Sequence, residues 1–296
     1  MSDAKQTENT LKTAPFTLLM SVYAGDTAHD LKRAFESSVQ EQTLAPAEAV
    51  IVQDGPVSPE LAAMLETIAA AAPIRTKIIK LARNQGLGAA LNNGLAACSY
   101  EYVARMDADD VSLPERFATQ WARVQRDNLD LLGTGMYEFS SDHTTPGMRR
   151  VPPTGAAIRT HIRTHNPVNH PTMLYRKSAV EAVGGYDEMG SMEDYYLVIR
   201  MLANGSKVDN LAEPLLAYNV GDTTASGVYK RRGGIEPLIT EVRIQWQLLR
   251  AGFIGPVRFI VNSAVKGTYR LLPAALKRKI FSRFVANGLP GERGTK

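Results

Sequence analysis

Short apolar runs and helical-period segments alternate through the first 107 residues, and this alternation restricts the fold more than any other feature. Residues 16–23, 49–53, 77–81 and 102–106 are apolar runs of strand length. Turn chemistry closes two of them, Ala24-Gly25-Asp26 and Asp54-Gly55-Pro56. Between them, residues 30–40 carry Leu31, Ala34, Phe35 and Val39 at helical spacing, and residues 59–72 carry Leu61, Met64, Leu65 and Ile68. Residues 87–97 make a third helical stretch. Strands and helices at this rhythm predict βαβ units, a parallel sheet and right-handed crossovers. Ligands of open α/β sheets bind beyond the carboxyl ends of the strands, so the residues that end each run are where chemistry belongs.

The fourth run ends in Asp107, Asp109 and Asp110, three carboxylates within four residues. Hard divalent cations take oxygen ligands, and Mg²⁺ or Mn²⁺ typically combines one or two carboxylates with substrate phosphates. If the strand continues, Asp107 and Asp109 point the same way and could share one ion. The other reading is a solvated acidic turn with Asp110 capping a helix that starts near Pro114. Asp54, at the tip of the second run, could accept bonds from a base or a ribose hydroxyl, or could belong to a simple turn. Residues 83–94 set small side chains at 86, 88, 89 and 90, with Asn84 as a possible helix cap and Asn92 and Gly94 one to two turns on. A tightly packed helix explains the glycines but not the carboxamides. The first turn has a single glycine, so the G-x-G-x-x-G turn of a dinucleotide oxidoreductase is missing, and no Gly-Lys-Ser/Thr of a P-loop occurs.

The second half loses the rhythm. Residues 131–136 and 173–176 read as further strands, with a helix over 156–165. His161, His165 and His170 lie close in sequence, but no cysteine pair or H-E-x-x-H helix supports zinc. His170 reads as a ligand-site residue or as a buried structural histidine. Residues 223–234, rich in Gly, Ser and Thr with Lys230, Arg231 and Arg232, suit either a lid over a diphosphate or a solvated loop. From Ala251 onward there are nine Lys/Arg and one Glu, net +8, so the overall +4 leaves −4 on the first 250 residues. Residues 256–272 place Val257, Ile260, Val261, Ala264, Val265, Thr268 and Leu272 opposite Arg258, Asn262, Lys266 and Arg270, and residues 276–285 repeat the idea. Basic amphipathic helices rest on anionic bilayers, or they pack on the body or on a second subunit. Few aromatic residues and no binding motif accompany the charge, which argues against nucleic acid. The single Cys98 excludes an intramolecular disulfide. Residues 1–14 lack an apolar h-region, and no run of 18 apolar residues predicts a membrane span.

Taken in order, these pieces resemble family 2 glycosyltransferases of the GT-A fold, an α/β fold with a Rossmann-like nucleotide-binding half and a mixed central sheet. The resemblance is carried by Ser21-Val22-Tyr23, Asp54-Gly55, Asn84-x-Gly86 with Asn92-x-Gly94, Asp107-Ala108-Asp109, and Gly184-Gly185-Tyr186-Asp187 followed by Glu193-Asp194. It covers about residues 16–220. Met106 to Asp110, Asn166-Pro167-x-Asn169-His170 and Arg231-Arg232-Gly233-Gly234 are similar to the bacterial exopolysaccharide and lipopolysaccharide enzymes of that family.

The resemblance implies an inverting, metal-dependent transferase moving a sugar from a nucleoside diphosphate, UDP foremost, to a hydroxyl of a lipid-linked saccharide. Ser21, Val22 and Tyr23 would lie beside the base, and Asp54 would contact uracil or ribose. Asn84, Gly86, Asn92, Arg231 and Arg232 would belong to the nucleotide site. Asp107 would hold the ribose or the metal's water shell, and Asp109 would ligate Mn²⁺ or Mg²⁺. Asp194 would be the base that deprotonates the acceptor, with His170 and Glu193 on the acceptor side. Glu193 and Asp194 also suit the start of a helix over 195–203. No histidine follows His170, so the third metal ligand that some relatives place after the base has no counterpart. The implied organisation is a tail over 1–14, a nucleotide half over 15–112, an acceptor half over 113–220, a basic lid over 221–234 and membrane-associating helices over 235–296. The implied location is the inner face of the cytoplasmic membrane. A non-catalytic sugar-nucleotide-binding or scaffold protein is the alternative; the presence of both Asp109 and Asp194 argues against it.

Overall fold

A computed structural model describes residues 11–139, 146–187, 189, 192–221 and 235–271. The chain begins with β1 (Thr13–Val22), α1 (Ala28–Val39), β2 (Ala45–Gln53), α2 (Pro59–Ala71), β3 (Arg75–Lys80), α3 (Leu87–Ala97) and β4 (Tyr102–Asp107). Every strand and helix expected before residue 107 is there. Local chemistry starts the helices. Thr27 accepts the Asp30 N–H at 3.1 Å while its hydroxyl donates to the Asp30 carboxylate, and Ser58 caps α2 ahead of Pro59.

β5 (Val111–Ser112), α4 (Arg116–Asp127), β6 (Leu131–Phe139), β7 (Pro146–Arg150) and α5 (Ala157–His161) follow. A single 3₁₀ turn over His170–Thr172 leads to β8 (Leu174–Arg176), α6 (Lys177–Glu181), α7 (Glu193–Ala203) and β9 (Val208–Asn219). The helix expected over 156–165 stops at His161, because Pro167 disfavours helical backbone at the residue before it and the chain turns at 162–166. β9 was not foreseen, since its run is half polar and holds Pro214, which sits at an irregularity in the β6 pairing.

The strands form one mixed sheet in the order β3-β2-β1-β4-β8-β6-β9-β5, with β7 beside β6. β3, β2, β1 and β4 are parallel, whereas β8 runs antiparallel to both β4 and β6. One face carries Phe16, Leu18, Met20, Ile51, Ala104 and Met106 against α1, α2 and α4, where Phe16 meets Phe117 edge-on and stacks on Trp121. The other face takes α3, which comes so close that a Cβ on Gly94 would collide with Leu19 and stand 2.8 Å from Val52 Cγ2. Arg116 is buried under this sheet and donates to the carbonyls of Arg105 and Pro171, both at 2.8 Å. It thereby ties α4 to β4 and to the 3₁₀ turn.

The described residues up to Gly221, apart from Met189 and Met192, make one compact unit, and a second contains α8 (Ile235–Arg250) and α9 (Pro256–Leu271). In the first unit β2 lies on one side of β1 and β4 on the other, so the strand order reverses between β1 and β4. A crevice opens there at the carboxyl ends.

Candidate active site

Register places Ser21 of β1 directly beside Asp107 of β4. Beyond them lies a cavity of about 360 Å³. Its walls are Ser21, Tyr23 and Asp26 after β1, Asp54 after β2, Asn84, Gly86 and Leu87 leading into α3, and Asp107, Ala108 and Asp109 after β4. Val22 does not join them, because its side chain is buried in the core and its carbonyl accepts the Asp54 N–H at 2.7 Å.

Asp54 organises the β3–α3 loop. Its two carboxylate oxygens accept the Gln85 N–H at 2.7 Å and the Gly86 N–H at 3.0 Å, and its carbonyl accepts the Asn84 amide at 3.3 Å. Asn84 therefore does not cap α3; Gly86 holds that position with φ +86°, outside the usual range of a side-chain-bearing residue. Gly55 is required for the same closure, since at φ +85° a Cβ would lie 2.5 Å from the Asn84 nitrogen.

β4 ends at Asp107, so Asp109 reaches the cavity from the following turn and not by strand alternation. Arg105, 2% exposed, grips Asp107 with both guanidinium nitrogens, one of them at 2.6 Å. Asp109 has no such partner. Burial and then the Asp107 charge push its pKa up to about 6. Asp26 accepts the Tyr23 N–H at 2.9 Å, yet burial raises its pKa to about 7, with Asp109 and Asp107 adding to the rise. Asp110 faces away from the cavity, fully buried, with one oxygen accepting the Asn219 N–H at 2.8 Å.

Among the described residues no three His, Cys, Asp or Glu side chains converge as a ready-made metal site. Three carboxylates facing one cavity, with the Asp107 charge adding to the raised pKa of both Asp26 and Asp109, nevertheless suit a hard divalent cation, which needs few protein ligands where phosphates and water complete the shell. With the Asp107 oxygens held by Arg105, Asp109 could ligate such a cation directly and Asp107 through water.

The second cluster stands against the first turn of α3. A Cβ on Gly88 would lie 3.6 Å from Tyr186 Cβ and 3.8 Å from Glu193 Cβ. Asn92 holds this wall in place by accepting the Tyr186 N–H at 2.8 Å and donating to the Tyr186 carbonyl at 2.7 Å. Its carboxamide thus pairs with the chain, and Asn92 is not among the residues that line the cavity. His170 Nε2 lies 3.2 Å from the Tyr186 hydroxyl, and burial followed by the Arg105 charge holds its pKa well below the usual value, so it is neutral. Glu193 and Asp194 open α7. Asp194 accepts the Asn166 amide at 2.8 Å and the Tyr195 N–H at 2.7 Å, and burial raises its pKa. Glu193 Oε2 is buried without a partner, and burial together with Asp194 brings that pKa to about 7. Arg231 and Arg232 lie outside the described residues. Two contributors escaped the sequence reading: Asp26, whose place in a turn looked generic, and Arg105, whose signal was a lone charge inside an apolar strand.

This cavity and its carboxylates can be compared with known proteins. The sequence profile of glycosyl transferase family 2 matches residues 17–184. The chain belongs to glycosyl transferase family 2. It is a glycosyltransferase, similar to enzymes of bacterial polysaccharide biosynthesis. The transferase is 32% identical over 274 residues to the UDP-Gal:alpha-D-GlcNAc-diphosphoundecaprenol beta-1,3-galactosyltransferase of Escherichia coli, covering 92% of this chain and 97% of that one. It is 34% identical over 272 residues to the amylovoran biosynthesis glycosyltransferase AmsE of Erwinia amylovora, covering 90% and 98%. Its GT-A architecture is shared with S. aureus TarS 1-349 in complex with UDP, at a TM-score of 0.60 and 17% identity over 92% of this chain and 71% of that one.

Proposed function

We propose that this transferase moves a sugar from a UDP-sugar to a saccharide hydroxyl with inversion at the anomeric carbon, on a lipid-linked acceptor of a growing cell-surface polysaccharide. The observation that carries the reading is the separation of carboxylates into two sets with Arg105 acting on both. Asp26, Asp107 and Asp109 face the nucleotide cavity, and Asp194 lies in the wall built by Asn92, Tyr186 and Glu193. Asp54 keeps the β3–α3 loop closed against the nucleotide, while Ser21 and Tyr23 border it. Asp109, with Asp107 behind it, would hold Mn²⁺ or Mg²⁺, which neutralises charge developing on the diphosphate leaving group.

Asp194 then takes the acceptor hydroxyl proton as that oxygen bonds to the anomeric carbon and the bond from that carbon to the diphosphate breaks. Its raised pKa makes it a stronger base than a solvated aspartate. Asn166 and the Tyr195 N–H fix its orientation. One base and one displacement leave the configuration inverted. Neutral His170 and Glu193 line the acceptor side and can hydrogen-bond sugar hydroxyls. The E. coli relative's acceptor carries diphosphoundecaprenol, and the +8 stretch after residue 250 fits an anionic surface. Both support work at the inner face of the cytoplasmic membrane.

The test is nucleotide release from a panel of nucleotide sugars, with Mn²⁺ or chelator. Metal-dependent release from one UDP-sugar is expected. It should fall by roughly 10²-fold or more in Asp109→Ala. Transfer to acceptor should fall by about 10²–10⁴-fold in Asp194→Asn. Intact UDP binding with no release from any donor, even with membrane extract supplying acceptor, would assign the chain to the non-catalytic alternative.

A further inference from the structure

The sequence of α9 divides into an aliphatic stripe and a polar stripe, and a helix in water normally buries the first. Here the order is reversed. Asn262 donates to Gln245 at 2.9 Å and Lys266 donates to Glu241 at 2.9 Å, and both α8 partners are buried. Gln245 also donates to Glu241, at 3.0 Å. Asn262 and Lys266 of the polar stripe therefore face α8, while Arg258 at the edge of that stripe is exposed. Val257, Ile260, Val261 and Val265, on the opposite side, are between 53% and 77% exposed. Turning α9 about its axis to bury them would break the ion pair between Lys266 and the buried Glu241, a costly exchange. The ion pair thus holds the aliphatic stripe outward.

Scattered exposed valines mean little, but four β-branched residues at spacings of three, one and four make one continuous face. Charge decides what covers it. Arg258 is exposed beside the stripe, α8 exposes Arg243 and Arg250, and the chain beyond residue 250 has a single acid. A second copy would bring the same cations together, and four aliphatic side chains fall far short of the ~800 Å² per partner of a stable protein interface. A bilayer carrying anionic headgroups satisfies both features. No helix among the described residues is long and apolar enough to cross a membrane.

We propose that α9 lies in the interfacial layer of an anionic lipid bilayer, with Val257, Ile260, Val261 and Val265 inserted and Arg258 at headgroup level. This deepens the membrane-surface reading above, from charge attraction alone to apolar insertion through a named face. The full chain would be sedimented with phosphatidylcholine vesicles, with and without phosphatidylglycerol, beside an Ile260→Asp/Val261→Asp variant and a Val261→Ser variant. Thermal melting checks their fold, and donor hydrolysis without lipid is measured separately. Wild type should bind the anionic vesicles, and the double variant about tenfold more weakly or worse, with melting and hydrolysis unchanged. Val261→Ser should lie between. Failure of wild type to bind, or equal binding by all three proteins, overturns the docking face. So does a wild-type dimer that the double substitution dissociates while vesicle binding persists. Hydrolysis without vesicle binding overturns the docking face alone. Vesicle binding without hydrolysis supports the docking face and overturns only the catalytic reading.

Discussion

Asp26, Asp109 and Glu193 share a physical situation: each is a carboxyl that burial and neighbouring carboxylates keep protonated above its ordinary range. Their pKa values of about 7, 6 and 7 exceed the unfolded values of 3.8, 3.8 and 4.5. The folded chain therefore binds protons that the unfolded chain has already lost. The stability contribution is full below about pH 4 and is lost as pH rises through 6 and 7. The ligand-free protein should melt lower at pH 8 than at pH 5, and Asp26→Asn should flatten part of that fall. Mn²⁺ with UDP should raise the melting temperature more at pH 8 than at pH 5, because the cation replaces the missing protons. A ligand-free melting temperature that climbs from pH 5 to pH 8 would refute this account. At this scale the acidic run 107–110 was legible because three acids after an apolar strand have few structural uses. The bidentate grip of Arg105 on Asp107 was not, because strand spacing leaves a guanidinium's partner undetermined.

At the scale of elements, the two halves of the site meet through α3. Its first turn carries the cavity wall at Gly86 and Leu87, its middle carries the Asn92 clamp on Tyr186, and its last turns press Gly94 onto the sheet. Asn92→Ala leaves the Tyr186 N–H and carbonyl unpaired and should cost about 2 kcal/mol. Gly94→Ala forces a methyl into Leu19 and Val52 and should cost roughly 1–3 kcal/mol. Both are measured by denaturant unfolding, and they should differ in one respect. Asn92→Ala should impair transfer to acceptor beyond its effect on stability, since it frees the wall that carries Tyr186, whereas equal transfer by both variants at matched stability would rule that coupling out. Gly94 announced close packing in the sequence, whereas Gly86 serves its positive φ, with open space where a Cβ would stand. That Gly94 meets Leu19 and Val52, and that the Asn92 carboxamide pairs with the Tyr186 backbone 94 residues away, depended on partners distant in the chain.

For the whole molecule, charge and apolar exposure act in different ranges. Electrostatic attraction of the basic C-terminal stretch to anionic vesicles is screened within about 8 Å at physiological salt, whereas apolar insertion is not. Raising salt from 0.05 to 0.5 M, in rough terms, should weaken wild-type sedimentation only in part. The residual should vanish in Ile260→Asp/Val261→Asp; a wild type released completely by salt would argue for adsorption by charge alone. By itself the sequence determined the βα rhythm, the parallel direction of the first four strands, the acidic strand end and the division of α9 into two stripes. These follow from side-chain periodicity and local turn chemistry, which neighbouring residues set. Only the tertiary structure decided that β8 is the strand running antiparallel between β4 and β6, that Asp54 closes a loop, that Arg105 acts on both carboxylate sets, and that Asn262 and Lys266 of α9 face α8. Each of these depends on a partner distant in sequence, and burial and pairing energies across such distances leave no local pattern to read.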